Sequence, residues 1–383
     1  MAKILLLTDY SSGYSRDLLR GLVRYSKEVG SWSLQRMPLY YSLMHGERGV
    51  LEYAKRWKAD AIVAKLSEVN IDLLKELNIP VVVQNYESRH QNVSNLTGDY
   101  FNTGAMAAKF FLNRGYHNFA FYGFKDAIWS RERLDGYKQE IEKHRNHLYT
   151  LENNKNKEEW SYNHTILGNW LMELPKPIAL FACDDYYALQ VSETCNLYNI
   201  AIPDDIAILG VDNDELLCNL SDPSLSSIVL DVENGGYRVG KLLHQLIDKK
   251  IMTPSNIVID PLRIECRGST EKYLITDKYI QQVIQYIEKN YANAISVKDI
   301  LKEVPLSRRV LEKKFKEEAN ITIYQYIQNC RIDCFSRLLM TSESSLLDAA
   351  YLSGFDNYKN VSRVFKKYKK LSPVEYRKKY KSK

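Results

Sequence analysis

The chain has 383 residues, 45% of them apolar, which is too long for one ordinary domain and enough to bury two or three separate cores. Its formal charge of +6 becomes informative once divided: residues 271–383 hold 23 Lys and Arg against 13 Asp and Glu, net +10, whereas residues 1–270 hold 30 against 34, net −4. A mildly acidic body with a strongly basic tail excludes a generally basic surface and points to one polyanion-facing module at the C-terminal end. The opening apolar run, ended by Asp9, is too short for a signal-peptide core and far too short to span a membrane. It is expected to form the first strand of a cytoplasmic protein with no membrane partner. The six cysteines, Cys183, Cys195, Cys218, Cys266, Cys330 and Cys334, show no Cys-x-x-Cys pair and no zinc-like grouping with histidine. Reduced thiols are expected, with no metal and no other cofactor.

From residue 1 to about 270, short β-rich runs alternate with helical patterns. Strands are expected at 4–7, 61–63, 81–84, 119–122, 179–182, 207–211 and 227–230, and helices at 16–29, 102–114, 134–144 and 235–249. This alternation implies parallel α/β sheets, and so many strands require two lobes. In open α/β sheets ligands bind beyond the carboxyl ends of the strands, so the residues just after each strand are the candidates for a site. Tyr14 and Arg16 follow the first strand; Trp129 and Arg133 follow the 119–122 strand after a loop; Asp184 and Asp212 follow their strands directly. Carboxylates and guanidinium groups pair with adjacent hydroxyls, and an aromatic face covers the apolar side of a sugar ring, so the set suits a neutral polyol. For any single acidic residue, capping of the following helix is an equal reading.

Several motifs in this region resemble the sugar-sensing domain of LacI/GalR regulators. They are Thr97-Gly98-Asp99-Tyr100 with Gly104, Gly115-Tyr116 before Phe119, Arg133 with Gly136-Tyr137, Cys183-Asp184-Asp185, and Ile208-Leu209-Gly210-Val211-Asp212-Asn213. The resemblance implies two periplasmic-binding-protein-like lobes over residues 1–270, with the chain opening directly on the first strand. It also implies that Arg133 and Asp212 contact sugar hydroxyls. Asp184 stands where that family normally has asparagine.

The C-terminal region reads as two helix-turn-helix units, at about 297–318 and 346–369. In the first, Val297, Ile300, Leu301 and Val304 keep helical apolar spacing, Pro305-Leu306 makes the turn, and Ser307 is positioned to cap a helix from Arg308 to Glu318. Leu311 and Phe315 face inward, leaving Arg309, Glu312 and Lys313 to offer a guanidinium, an acceptor and an ammonium to bases or phosphates. Residues 323–340 read as one long helix capped by Thr322; roughly 18 residues span about 27 Å, enough to hold two recognition helices about one DNA turn apart. In the second unit Leu346, Leu347 and Ala350 form a short apolar face, Gly354 breaks it, and Asp356 is placed to cap the next helix. There Val361, Val364, Phe365 and Tyr368 fall at i, i+3, i+4 and i+7, and Tyr358, Lys359, Ser362 and Arg363 lie on the remaining, basic surface. Ser372-Pro373 stops the run.

The run Gly354-Phe355-Asp356, Phe365-Lys366-Lys367, Ser372-Pro373 and Tyr376-Arg377 resembles the C-terminal signature of AraC/XylS transcription factors. That resemblance implies an all-α double helix-turn-helix domain over 271–383 and DNA as partner. Pro305 and Lys370 replace glycines of the family pattern.

A LacI-type sensor followed by an AraC-type reader is shared with bacterial regulators of pentose catabolism. The resemblance implies a D-xylose-dependent activator, a homodimer that works with RNA polymerase; nothing in the residue chemistry separates xylose from arabinose. An enzyme reading finds only the neighbouring Asp184-Asp185, without a His-centred triad, metal cluster or phosphate loop. A transported solute-binding protein would share the cleft but require export, which the basic tail opposes. The segment 263–276 begins with a strand-like run and is expected to dock on the sensor.

Overall fold

The computed structural model describes the chain except residues 1, 9, 31, 38, 66–70, 85–86, 154–163, 250–252, 273, 276, 320, 343, 370 and 381–383, and the side chains of residues 39, 40, 42, 43, 341, 358, 359, 379 and 380 also lie outside the description. Two compact units result: residues 1–108 with 118–271, and residues 109–117 with 272–383.

The first unit opens with β1 (Lys3–Leu7), α1 (Gly13–Val29), β2 (Ser33–Arg36), α2 (Leu39–Trp57), β3 (Ala61–Lys65), α3 (Ile71–Lys75), β4 (Val81–Gln84) and β5 (Ser94–Gly98). It continues with α4 (Tyr100–Leu112), whose end from Lys109 belongs to the second unit, β6 (Asn118–Phe124), α5 (Ile128–Lys143), β7 (His147–Asn153), α6 (His164–Glu173), β8 (Ile178–Ala182), α7 (Asp185–Leu197), β9 (Ile206–Val211) and α8 (Glu215–Leu220). The elements β10 (Ser226–Leu230), α9 (Val232–Ile247), β11 (Ile257–Ile259) and β12 (Pro261–Glu265) complete it.

The strands form two sheets, ordered β11-β5-β4-β3-β1-β2 and β12-β10-β9-β8-β6-β7. All pairings are parallel except β10 with β12. The chain therefore leaves the first lobe after β5, returns through α9 to β11, and crosses back with β12. The central strands are buried on both faces, which is why they read as continuous apolar runs such as Ile4-Leu5-Leu6-Leu7 and Ile178-Ala179-Leu180-Phe181-Ala182.

All seven strands expected from the sequence are present within a few residues of the expected bounds. Those not expected, β2, β5, β7, β11 and β12, are edge or polar segments; β5 is Ser-Asn-Leu-Thr-Gly, with no apolar run to mark it. Helix α1 shows how local chemistry sets an element. Ser12 accepts the Ser15 amide at its start, Leu18, Leu22 and Tyr25 bury one face, and Gly30 ends it at φ +64°. The 263–270 segment packs into the second lobe: β12 pairs with β10, Ser269 Oγ donates to Ile208 O at 2.6 Å and accepts the Ser226 amide at 2.8 Å.

The second unit holds α10 (Lys278–Asn290), α11 (Val297–Ile300), α12 (Arg308–Ala319), α13 (Ile323–Thr341), α14 (Leu346–Leu352), α15 (Tyr358–Lys369) and α16 (Pro373–Tyr380). Helix α10 starts at Asp277, which accepts the Tyr279 and Ile280 amides, and buries Ile280, Val283, Ile284 and Ile287. Helix α13 carries a reciprocal cap in which Thr322 accepts the Gln325 amide and Gln325 accepts the Thr322 amide. Its N-terminal half, Ile323, Tyr326 and Ile327, joins the core of α10–α12, while Phe335 packs against Phe355 and Phe365 of the second helix-turn-helix. Three expectations change here. Leu347, placed on the apolar face with Leu346 and Ala350, is 46% exposed, and Ala349 is buried beside Ala350 instead. Asp356 stands two residues ahead of α15, one too far to be its N-cap, because the helix begins at Tyr358. Tyr368, placed inward by spacing, is 40% exposed; Val361 and Phe365 carry the burial. Lys370 lies outside the described residues. No helix among the described residues is long and apolar enough to cross a membrane.

Candidate functional site

In the first unit the carboxyl ends of strands from both sheets present polar and aromatic groups toward one another. Arg133, on the second turn of α5, is 3% exposed, and its guanidinium lies over the rings of both Tyr100 and Trp129 with 5.5 Å to each centroid. One of its amines donates to the Cys183 carbonyl. Another lies 3.7 Å from Asp212 Oδ1, within ion-pair range but too far for a hydrogen bond. Asp212 Oδ1 and Arg133 Nε are accordingly buried without a hydrogen-bond partner, although a buried polar atom normally has one.

Asp212 sits in a strained turn. Its φ is +101° and that of Asn213 is +53°, a left-handed pair directly after β9 where side chains rarely adopt such angles. The turn is held by the surrounding lobe. The Asp212 amide donates to Ile228 O, the Asn213 amide to Ser227 Oγ at 2.9 Å, Arg267 to Asn213 Oδ1 at 2.8 Å, and the Asp214 amide to Asp185 Oδ2 at 2.8 Å. Burial pushes the Asp212 carboxyl up to about 7, with Arg133 opposing the shift and Asp184 and Asp214 adding to it. Burial likewise raises the Asp184 carboxyl, against the Tyr187 amide it accepts at 2.8 Å. Tyr14 joins the group from α1: its hydroxyl is raised well above its usual value by burial, with Tyr100 and Asp212 as the next causes.

The two neighbouring aspartates do different work. Asp184 caps α7 while facing Arg133, so the capping and ligand-facing readings hold together at one residue. Asp185 turns away to accept Ser227 Oγ at 2.6 Å and the Asp214 amide, and so supports the Asp212 turn. They do not form an acid–base pair. Arg16 is drawn elsewhere: it reaches Asp214 at 3.2 Å and the Ser11 carbonyl, while the Gly13 amide donates to the same aspartate at 2.6 Å. Because α1 belongs to the first lobe and Asp214 to the second, Arg16 pins the lobes together at the rim. Arg89 with Glu132, and Arg131 with the Glu87 carbonyl at 2.6 Å, do the same on another edge.

Tyr14, Trp129, Arg133, Asp184 and Asp212 are thus brought together, with Arg16 beside them in the latch. Tyr100 was missed as a site residue; the signal was its place two residues after β5, a strand the apolar pattern does not reveal. The assembled site offers buried acceptors, one guanidinium and three aromatic faces, which is chemistry for holding hydroxyls.

In the second unit, Leu311 and Phe315 anchor α12 and leave Arg309, Glu312 and Lys313 exposed. Ser307 Oγ accepts the Val310 amide at 3.4 Å, so the turn containing Pro305 still delivers a capped helix. Glu312 pairs with Arg308 at 2.9 Å and Lys313 with Glu317 at 3.8 Å, both along the helix surface. Arg309 has no hydrogen bond or ion pair among the described residues. On α15, Arg363 is exposed and Ser362 half-buried; Tyr358 and Lys359 open the helix, their side chains lying outside the described residues.

Comparison with known proteins matches both units. A periplasmic binding protein-like domain covers residues 108–270 and a helix-turn-helix domain covers residues 300–379. The chain is 28% identical to the xylose operon regulatory protein of Escherichia coli K12 over 98% of its own length and 96% of that protein's. It is 27% identical to the protein of the same name from Haemophilus influenzae, over 98% of both. A solved structure described as a xylose-binding transcription activator superposes with a TM-score of 0.59 at 26% identity, covering 99% of this chain and 98% of that one. The chain therefore joins a periplasmic binding protein-like α/β domain to a helical helix-turn-helix domain, in the order and over nearly the whole length of these transcription regulators.

Proposed function

We propose that the protein is a sugar-responsive transcription activator of pentose catabolism: it binds D-xylose between the lobes of its first unit and DNA through α12 and α15. The observation that carries the sugar reading is the buried, unpartnered Asp212 Oδ1 opposite Arg133, whose Nε also lacks a partner and whose guanidinium lies against the Tyr100 and Trp129 rings. A vicinal diol satisfies both, donating one hydroxyl to Asp212 and accepting from Arg133 with the other. The pentose is chosen on the xylose regulators that the chain is similar to along its length. The DNA reading is supported by the +10 charge of residues 271–383 and by the exposed cations of α12 and α15. In this reading the protein works in the cytoplasm as a homodimer, recruits RNA polymerase, and performs no catalysis.

A thermal-shift series with D-xylose, L-arabinose, D-ribose and D-glucose tests the ligand. D-xylose is expected to raise Tm in proportion to the logarithm of its concentration over Kd. A shift with L-arabinose alone would reassign the pentose, and a shift with none would remove the sugar reading.

A further inference from the structure

Helix α13 joins the two DNA-facing halves, and near its middle one guanidinium meets both. Arg331 Nε donates to the Tyr291 carbonyl at 2.8 Å and a terminal amine donates to the Asn293 carbonyl at 2.8 Å. Those carbonyls lie just past the end of α10, the helix whose Ile280, Val283, Ile284 and Ile287 share a core with Leu311 and Phe315 of α12. The turn between α14 and α15 comes to the same place. Gly354 has φ +85°, and a Cβ there would stand 2.3 Å from the Tyr291 carbonyl oxygen and 2.9 Å from Arg331 Nε. Only glycine allows that approach. Asp356, two residues further, acts electrostatically on Arg331, opposing the fall that burial imposes on its basicity.

Backbone from the first half, the linking helix and the turn of the second half therefore converge on Arg331. Among the described residues α15 is seated on α13 by ring packing of Phe335 with Phe355 and Phe365 and by the ion pair of Lys369 with Asp333 at 3.3 Å, and Phe365 packs in turn on Tyr376 of α16. These contacts fix α15 to α13 and do not reach α10. A planar guanidinium donating to two backbone carbonyls is directional, so it resists the rocking of α13 against α10 that apolar contact tolerates.

We propose that Arg331 is a positioning residue that sets the separation and phase of α12 and α15, and hence the spacing between the two DNA blocks the chain reads. The inference rests on the DNA-binding reading above. One extra base pair rotates the next groove segment by about 34°, so a rigid pair of recognition helices accepts one spacing and a loosened pair accepts several.

The test is selection of duplexes from a randomised library of about 30 base pairs, with full-length wild-type protein, Arg331→Ala and Arg331→Lys. Wild type is expected to enrich two base blocks at a single spacing. Arg331→Ala is expected to enrich the same blocks over two or more spacings and to bind the wild-type spacing about tenfold more weakly, with unchanged affinity for a single block. Arg331→Lys, with the charge but no fork, should fall between. A merely structural role would weaken both blocks alike without broadening the spacing. If Arg331→Ala loses its helical circular dichroism, Arg331→Lys decides: a broadened spacing supports the proposal and an unbroadened one overturns it. Enrichment of only one block by wild type would overturn the two-helix DNA reading; two blocks at a single spacing for every folded variant would overturn the role of Arg331 alone.

Discussion

In the first unit, Arg133 comes from α5, Asp212 from the turn after β9 and Tyr14 from α1, and they meet only because two sheets bring their strand ends together. In the second unit, Arg309, Glu312 and Lys313 lie on little more than one turn of α12, where helical spacing alone sets them beside one another. The first site is buried, and the loss of hydration there pushes a carboxyl up to about 7 even against the neighbouring guanidinium. The second is exposed, so its charges are screened until a polyanion displaces the solvent and counterions around them. In the proposed reading one chain uses scarce, costly, long-range polar groups for a small neutral ligand and abundant, inexpensive, local ones for a large charged ligand.

The sharpest way to break that contrast is Arg133→Ala. If Arg133 binds the sugar as proposed, its removal deletes those hydrogen bonds and leaves the half-buried Asp212 without its counter-charge, so sugar affinity should fall at least ten- to a hundredfold, about 1.5 to 3 kcal/mol per charge-assisted bond. Titration calorimetry reads this directly, and unchanged affinity would take Arg133 out of the site. Arg309→Ala probes the exposed side. If α12 reads bases, the loss should be about 1 to 3 kcal/mol and confined to particular base pairs, measured by anisotropy across single-base operator variants; a uniform loss would make Arg309 a phosphate contact.

A third comparison uses pH. Asp212 has a folded-state pKa of about 7, raised above the unfolded value, so it binds a proton on folding: it favours the folded state most at acid pH, and that contribution is lost as pH rises through about 7. A hydroxyl donated to Asp212 favours the ionised form, so sugar binding should release protons near neutrality. Affinity should weaken by up to about tenfold per unit below pH 7. Calorimetry in buffers of different ionisation enthalpy detects the released proton; Asp212→Asn should bind with no such dependence. DNA binding by the exposed cations should follow salt far more than pH over the same range.

The smallest effect expected is that of Thr322→Ala. The reciprocal cap it makes with Gln325 is worth about 1 kcal/mol, so thermal unfolding should shift by a few degrees while DNA specificity stays fixed. A change in block spacing from this substitution would mean that the start of α13 also sets the geometry assigned to Arg331.

Much of the second unit was legible in the sequence because its determinants are local. The caps at Ser307 and Thr322, the break at Gly354 and the apolar spacing of α12, α13 and α15 each depend on residues within a turn of one another. The exceptions are Asp356, where the helix starts one residue later than a cap there requires, and Leu347 and Tyr368, which helical spacing turns inward but no neighbouring element covers fully. In the first unit the central strands were legible from their apolar runs, and the order of elements implied parallel sheets.

Sequence by itself determined the chemistry available: which turns carry carboxylates, which helices carry cations, and where the apolar faces fall. Only the tertiary structure decided the use of each group. It left Asp212 Oδ1 unpartnered opposite Arg133, drew Arg16 into a latch with Asp214, added Tyr100 to the site, and turned Asp185 away from its neighbour. The physical reason is that burial and partner geometry are properties of chain crossings. Whether a carboxylate caps a helix, braces a turn or waits for a hydroxyl depends on a donor delivered from another part of the chain, and no local pattern encodes that distance.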